Sequence, residues 1–419
     1  MTTESIVILG GSFAGLSAAH YVIRHVLPQL PKKDGTTYAV TLVNPSKDFY
    51  WRIAGPRAIV SQELMPSSKY IYPIEPAFAY AKDQFKFVQG TATHVDAAGQ
   101  TVSVTTPDNQ QVQIPYIALV VATGVTTASP LFTLKADSAD FVSQKAAFQK
   151  ALATAKTVVI GGGGPVAVES AGEIAEVLNG KPGWFASAPK NPKAKVTVVS
   201  GDKKLLPILR ESISNTAEKY LNRLGADVIY NTKVVGTTIE NGKTIVKLSD
   251  DKTIEADIYL DATGVRPNTS FLPKEWLDNR NRVACDPKTL RVTASPRVYA
   301  VGDVGSYTRG GVMDQANALP VALTNLKTDL IAHLSGKEPG PDRHYTADLR
   351  ESQIVPIGTQ KGVGAFGGNK VPSQMVWLIK GRDYMISQLA QATLDGAGYK
   401  KEGKWKPEPA TAKVGLSSG

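Results

Sequence analysis

The sequence predicts an α/β fold with two dinucleotide-binding units, the second inserted in the first, followed by a small C-terminal α+β region. Three observations predict it. Two glycine-rich turns, Gly10-Gly11-Ser12-Phe13-Ala14-Gly15 and Gly162-Gly163-Gly164-Pro165-Val166-Ala167, start 152 residues apart. Each follows a short β-branched run and opens an Ala-rich helical pattern, the context that makes a glycine turn a Rossmann-like phosphate site. A second pair of runs, Ala122-Thr123-Gly124 and Ala262-Thr263-Gly264, closes an apolar strand in each half.

In the first turn a strand ends at Leu9 and a helix starts near Ala14. Glycine lets the backbone turn tightly and approach a pyrophosphate. The helix N-terminus adds unpaired N–H groups and about half a positive charge. Ser12 replaces the second glycine of G-x-G-x-x-G, which narrows the gap but supplies a hydroxyl donor. The following strand, Tyr38 to Val43, ends at Asn44, where a ribose-binding acid is expected. An amide still hydrogen-bonds a ribose hydroxyl, at lower strength than a carboxylate.

In the second turn Gly162, Gly164 and Ala167 hold the fingerprint positions, with Gly163, Pro165 and Val166 between them. The helix continues through Glu169, Gly172, Glu173 and Ile174, and its partner strand, Lys195 to Val199, ends at Ser200. No acid stands at Ser200; Asp202 is close, and Lys203 and Lys204 follow. Without the carboxylate a 2′-phosphate is not repelled and lysines attract it, so NADH and NADPH both stay open. The same lysines also read as an ordinary solvated loop. Two dinucleotides in one chain let electrons pass from one to the other, which is the logic of a flavoprotein reductase with FAD and NAD(P)H.

A chain of 419 residues is long for one core and implies two or three domains. The expected division is an FAD-binding domain over 1–149 and 266–338, an NAD(P)H-binding domain over 150–265, and a C-terminal domain over 339–419 with a flexible basic tail. Hydrophobic content of 42% is that of a globular protein, and no apolar run reaches the ~18 residues that span a bilayer. Met1-Thr2-Thr3-Glu4-Ser5 runs straight into a strand without a signal-peptide pattern, and Thr2 offers no glycine for myristoylation. The expected location is therefore cytoplasmic.

The formal charge of +10 is modest for this length and its residues are scattered, so no nucleic-acid partner is expected. The one concentration is Tyr399 to Lys413, with five lysines and Trp405, which suits a solvated end or a lipid headgroup surface. Cys285 is the only cysteine, which excludes a redox-active pair. The five histidines show no metal-ligand spacing, so no metal is expected.

Between the turns, Asp48-Phe49-Tyr50-Trp51-Arg52 supplies aromatics for a flavin ring or for the core, and Arg57 a cation for its phosphates. Strands are expected over Phe85 to Ala92 and Thr101 to Thr105, and the run Ile117 to Gly124 is a buried strand ending in a turn, mirrored by the run Ile258 to Asn268 that closes the second unit. Val298 to Val301 is a strand ending on Gly302-Asp303, where a carboxylate can accept from a ribityl hydroxyl or simply cap a turn. A helix follows from Gln315 to Leu334, then Gly-rich strands near Val355 to Phe366 and an amphipathic stretch from Met375 to Leu389.

The order of these motifs resembles the pyridine-nucleotide disulfide-oxidoreductase superfamily. Lys204-Leu205-Leu206-Pro207, Phe49 to Ala58 and Lys380-Gly381-Arg382-Asp383 are similar to its apoptosis-inducing-factor-2, or ferroptosis-suppressor-protein, branch, which lacks the redox disulfide. The resemblance implies an FAD-dependent NAD(P)H oxidoreductase passing electrons to a quinone-like acceptor, with peripheral attachment to an intracellular membrane. It implies FAD contacts from Gly10 to Gly15, Arg57, Ala92 and Asp303. Asn44, Ser12 and Trp51, which stands where that branch has a histidine, depart from its pattern. Glu169 is placed to help position the nicotinamide; no residue is identified as a general acid or base. A reductase of a small iron–sulfur protein and a non-enzymatic flavin-bearing signalling or nucleic-acid-binding protein are the other readings.

Overall fold

The computed structural model describes residues 2–183 and 186–407. The tail lysine Lys413 lies outside them. The first unit opens with β1 (Thr2–Leu9), α1 (Phe13–Tyr21) and β2 (Thr36–Asn44), then β3 (Phe85–Gln89) and β4 (Ala118–Val121). Helix α2 (Ser138–Thr154) leads into the second unit: β5 (Thr157–Gly161), α3 (Pro165–Asn179), β6 (Lys195–Val199), α4 (Glu211–Arg223), β7 (Ala226–Ile229) and β8 (Ile258–Asp261). The chain then returns through β9 (Val298–Ala300) and α5 (Val312–Ser335) to a terminal hairpin, β10 (Gln353–Ile357) and β11 (Lys361–Phe366).

The first sheet is five-stranded and parallel, in the order β9-β4-β1-β2-β3; the second is four-stranded and parallel, in the order β7-β6-β5-β8. A strand from beyond residue 290 thus sits beside β4, so the second sheet is an insertion between strands of the first. Parallel strands covered on both faces read as continuous apolar runs, and β1 and β4 do so: Ile6 to Leu9 and Ala118 to Val121 are buried throughout. Each unit adds an antiparallel three-stranded meander, Thr91–Asp96 to Gln111–Pro115 in the first and Val234–Glu240 to Thr253–Ala256 in the second.

The expected strand over Phe85 to Ala92 is two strands, broken at Gly90. A Cβ there would lie 2.4 Å from Val104 Cγ1, so the close approach of the meander requires glycine at the break. The stretch from Met375 to Leu389 is likewise not one helix. Tyr384 and Met385 both take positive φ, 56° and 65°, and interrupt it.

Candidate functional site

The first turn is shaped by contacts that leave no room for side chains. Gly10 has φ +106°, and a Cβ on it would lie 2.4 Å from the carbonyl oxygen of Ala122. A Cβ on Gly15 would lie 1.7 Å from the oxygen of Gly10, so α1 docks directly on the turn. The N–H of Gly11 donates to Asn44 Oδ1 at 2.7 Å, and Asn44 Nδ2 donates to the oxygen of Ser46 at 2.6 Å. Both ends of the Asn44 amide are therefore engaged within the protein. Ser12 caps α1 without a side-chain bond of its own and is exposed, so its hydroxyl is available beside the turn.

The other expected residues of this site converge on the same end of the sheet. A Cβ on Gly302 would meet Ala14 Cβ at 2.9 Å, which brings Gly302-Asp303 against the start of α1. Asp303 Oδ1 accepts from the N–H of Gly311, at the entrance to α5, at 3.1 Å. Thr123 Oγ1 donates to the oxygen of Asn268, and Asn268 Nδ2 donates to the oxygen of Thr123, each at 2.8 Å. Gly124 accepts from the N–H of Asn268 at 3.0 Å. Ala92, half-buried on the meander, lies two residues past Gly90, whose N–H donates to the oxygen of Asn44 at 3.0 Å. Phe13 packs on Phe49 and Trp51, with ring centroids 5.1 and 4.9 Å away, so these aromatics line the floor behind the turn. Gln315, which sequence reasoning missed, is buried and donates to the oxygen of Phe13 at 3.3 Å. A cradle that a Cβ would fill, ahead of a helix N-terminus, fits the pyrophosphate of FAD.

Arg57 has a different partner from the expected phosphate. It is buried, and its Nη2 lies 2.8 Å from Glu173 Oε1 in α3, while Nη1 donates to the oxygen of Arg382 at 3.0 Å. Its guanidinium carbon stands 4.8 Å from the centre of the Tyr384 ring. Glu173 in turn accepts from Tyr384 Oη at 3.0 Å. A buried cation must be paired, and the nearest anion is a carboxylate of the second unit. The cluster joins Arg57 of the first unit, Glu173 of the second, and Arg382 and Tyr384 of the C-terminal segment.

The second turn repeats the first. Gly162 has φ +117°, and a Cβ on it would lie 2.3 Å from the oxygen of Ala262. Gly164 caps α3 and Pro165 comes next, the N1 position at which a missing N–H is harmless. Val166 is half-buried beside them, Gly164 opens onto free space, and Gly264 is exposed with open space around it. A Cβ on Gly163 would come within 2.3 Å of Ser200 Oγ, so the end of β6 touches the turn. Among the described residues no cluster of His, Cys, Asp and Glu is arranged for a metal. Cys285 is buried, and burial pushes its thiol up to about 12.

One turn into α3, Glu169 is buried and ion-paired with Lys380. Burial pushes its carboxyl up to about 7, against the opposing pull of Lys380. Lys380 lies within Trp377–Gly381, a stretch of π-helix, a device frequent at functional sites. In the sequence Glu173 and Lys380 stand out only as members of longer motifs. The contacts that give them roles join positions over a hundred residues apart, which no local pattern signals.

Comparison with known proteins agrees with this geometry. The chain is 44% identical over 394 residues to "Oxidoreductase phnG" of Penicillium herquei, covering 91% of this chain and 94% of that one. It is 34% identical over 397 residues to "Oxidoreductase ptaL" of Pestalotiopsis fici, covering 94% and 99%. It is 25% identical over 402 residues to ferroptosis suppressor protein 1 of Xenopus tropicalis, covering 91% and 94%. In fold it is similar to the sulfide:quinone oxidoreductase of Aquifex aeolicus, with TM-score 0.70 at 15% identity over 94% of this chain and 92% of that one. The pyridine nucleotide-disulphide oxidoreductase family matches residues 4–322, and the chain belongs to that family of flavin-dependent oxidoreductases, which bind FAD and NAD(P)H.

Proposed function

We propose that this protein takes electrons from NAD(P)H through FAD and delivers them to a quinone-like small molecule. The observation that carries the reading is the Glu169–Lys380 pair: a buried carboxyl poised near neutrality beside an ammonium group, one turn into the second dinucleotide helix. Reduction of a quinone to the hydroquinone takes two electrons and two protons. NAD(P)H supplies the pair as hydride, and the balance is NAD(P)H + H⁺ + quinone → NAD(P)⁺ + hydroquinone. FAD held by the first glycine turn would supply the two-electron relay between donor and acceptor.

The chain's own residues bind, orient and move protons. Gly10 to Gly15, Asn44, Ala92, Ala122 to Gly124 and Gly302-Asp303 would hold FAD; Gly162 to Val166, Ser200 and Gly264 would hold NAD(P)H. On this reading 1–149 with 266–338 forms the flavin domain, 150–265 the donor domain and 339–419 the acceptor side. Glu169 gives and retakes a proton at working pH, and Lys380 holds the carboxylate once ionised. Arg57 and Tyr384 hold Glu173 so that it does not compete with Glu169 for Lys380. Peripheral contact with a membrane belongs to the same reading, since Met375, Trp377 and Leu378 are exposed on the segment that carries Lys380. No described helix is long and apolar enough to cross a membrane.

The test is NADH and NADPH oxidation by the flavin-loaded protein with and without a short-chain quinone. Quinone is expected to stimulate turnover, and Glu169→Gln to lower it about 100-fold and remove a pH inflection near 7. Turnover indifferent to every quinone would refute the acceptor.

A further inference from the structure

The strand after the glycine helix is where a dinucleotide-binding unit tells NADH from NADPH, because the adenine ribose 2′ position lies at its end. We propose that the second unit selects the 2′-phosphorylated donor, NADPH, and that Lys233 is the selecting residue, with Lys203 beside it. The proposal rests on the reading that the second glycine turn holds NAD(P)H.

Ser200 stands at the end of β6 and is fully buried. Its N–H donates to the oxygen of Ile229 at 2.8 Å, and its own oxygen accepts from the N–H of Thr232 at 3.0 Å. Its Oγ accepts from the N–H of Asp202 at 3.3 Å. The strand end therefore meets the glycine turn with a neutral, internally bonded side chain. There is no carboxylate there to grip a pair of ribose hydroxyls or to repel a phosphate.

A cation arrives at this point from another loop. A Cβ on Gly201 would lie 2.9 Å from Lys233 Cγ and 3.4 Å from its Cε, so the lysine stem runs along Gly201. The backbone of Lys233 is pinned: its N–H donates to Ser249 Oγ at 3.0 Å, and the N–H of Ser249 donates to its oxygen at 2.9 Å. Lys203 is exposed on the turn itself. Lys204 is not available, because its Nζ donates to the oxygen of Leu209. Asp202 is the carboxylate of this turn; it is exposed, and its backbone oxygen accepts from the N–H of Asn231 at 3.2 Å. Among the described residues neither Lys203 nor Lys233 is ion-paired, with Asp202 or any other group. Two ammonium groups against one carboxylate favour a phosphate monoester, which carries about −1.5 to −2, over a hydroxyl.

Calorimetric titration of the flavin-loaded protein with NADP⁺ and with NAD⁺ tests this without turnover. NADP⁺ is expected to bind about tenfold tighter, with the gap narrowing as salt is raised. Lys233→Ala should cut that ratio about fivefold by weakening NADP⁺ alone, its unchanged NAD⁺ affinity reporting an intact fold. Lys233→Arg should restore the ratio, which a role limited to packing on Gly201 would not do. NAD⁺ binding as tightly as NADP⁺ overturns the proposal while leaving the second turn a nicotinamide site. Binding of neither nucleotide overturns the reading on which it rests. A ratio unmoved by Lys233→Ala removes Lys233 from the selection.

Discussion

The two glycine turns perform one manoeuvre with different tolerances. Gly10 and Gly162 press on Ala122 and Ala262 in the same way, with would-be Cβ contacts of 2.4 and 2.3 Å. The difference lies in the residues after that first glycine. In the first turn Gly15 sits so close to Gly10 that a methyl group would lie 1.7 Å from its oxygen, and the Asn44 amide bridges Gly11 to Ser46. In the second, Ala167 takes the corresponding position, Gly164 opens onto free space, and Ser200, though it presses on Gly163, bonds through its Oγ to the N–H of Asp202 instead of to the turn glycine. Both turns bond to their strand through the first glycine's N–H, and the added side-chain bond from Asn44 suits a prosthetic group that stays. An open turn suits a donor that exchanges on every cycle.

The largest test of this contrast attacks the joint between the units. Arg57→Met leaves Glu173 buried without its cation and should cost about 3–5 kcal/mol in denaturant unfolding. If it costs nothing, the two units do not depend on that pair. Next comes a matched pair of substitutions. Gly15→Ala must displace α1 and should cost about 1–3 kcal/mol, with loss of the bound flavin's visible absorbance. Gly164→Ala has space and should keep the absorbance, shifting only the donor affinity. Flavin retained by Gly15→Ala would erase the distinction between the turns.

A third test uses α2, the helix between the units. Lys145 is buried there with its Nζ 4.1–4.4 Å from the ring centres of Phe141, Tyr50 and Tyr70, and bonded to Tyr50 Oη at 3.1 Å. Burial holds its ammonium down to about 6. The unfolded chain thus binds the extra proton between about pH 6 and the ordinary lysine value near 10.4, and stability falls as pH drops through that window. Lys145→Met should raise stability by about 1–2 kcal/mol near pH 6, with the gain fading toward pH 10. A pH-independent effect would mean the lysine is not titrated by burial. The smallest expected effect is Asn44→Ala, which strips the partner from the Gly11 N–H and should cost about 1 kcal/mol. Asn44→Asp keeps that acceptor and should recover most of it in the same melt.

Much of this was legible in the chain alone. The strand Lys195–Val199, the start of the second helix and the return to Gly302-Asp303 follow from short-range signals: β-branched runs, glycines and apolar periodicity. These act within a few residues, so the sequence by itself determined two dinucleotide-type units, their order and the glycines each turn requires. The partner of Arg57, the break at Tyr384-Met385 and the meeting of Glu169 with Lys380 were decided elsewhere. Arg57 next to a flavin phosphate and Arg57 next to Glu173 are equally compatible with its neighbours in sequence. Only packing α3 against the C-terminal segment puts a buried carboxylate within reach, and a buried charge takes the nearest opposite one. Tyr384 accepts a left-handed backbone for the same reason: its ring and hydroxyl meet Arg57 and Glu173, and the tertiary contacts override local preference.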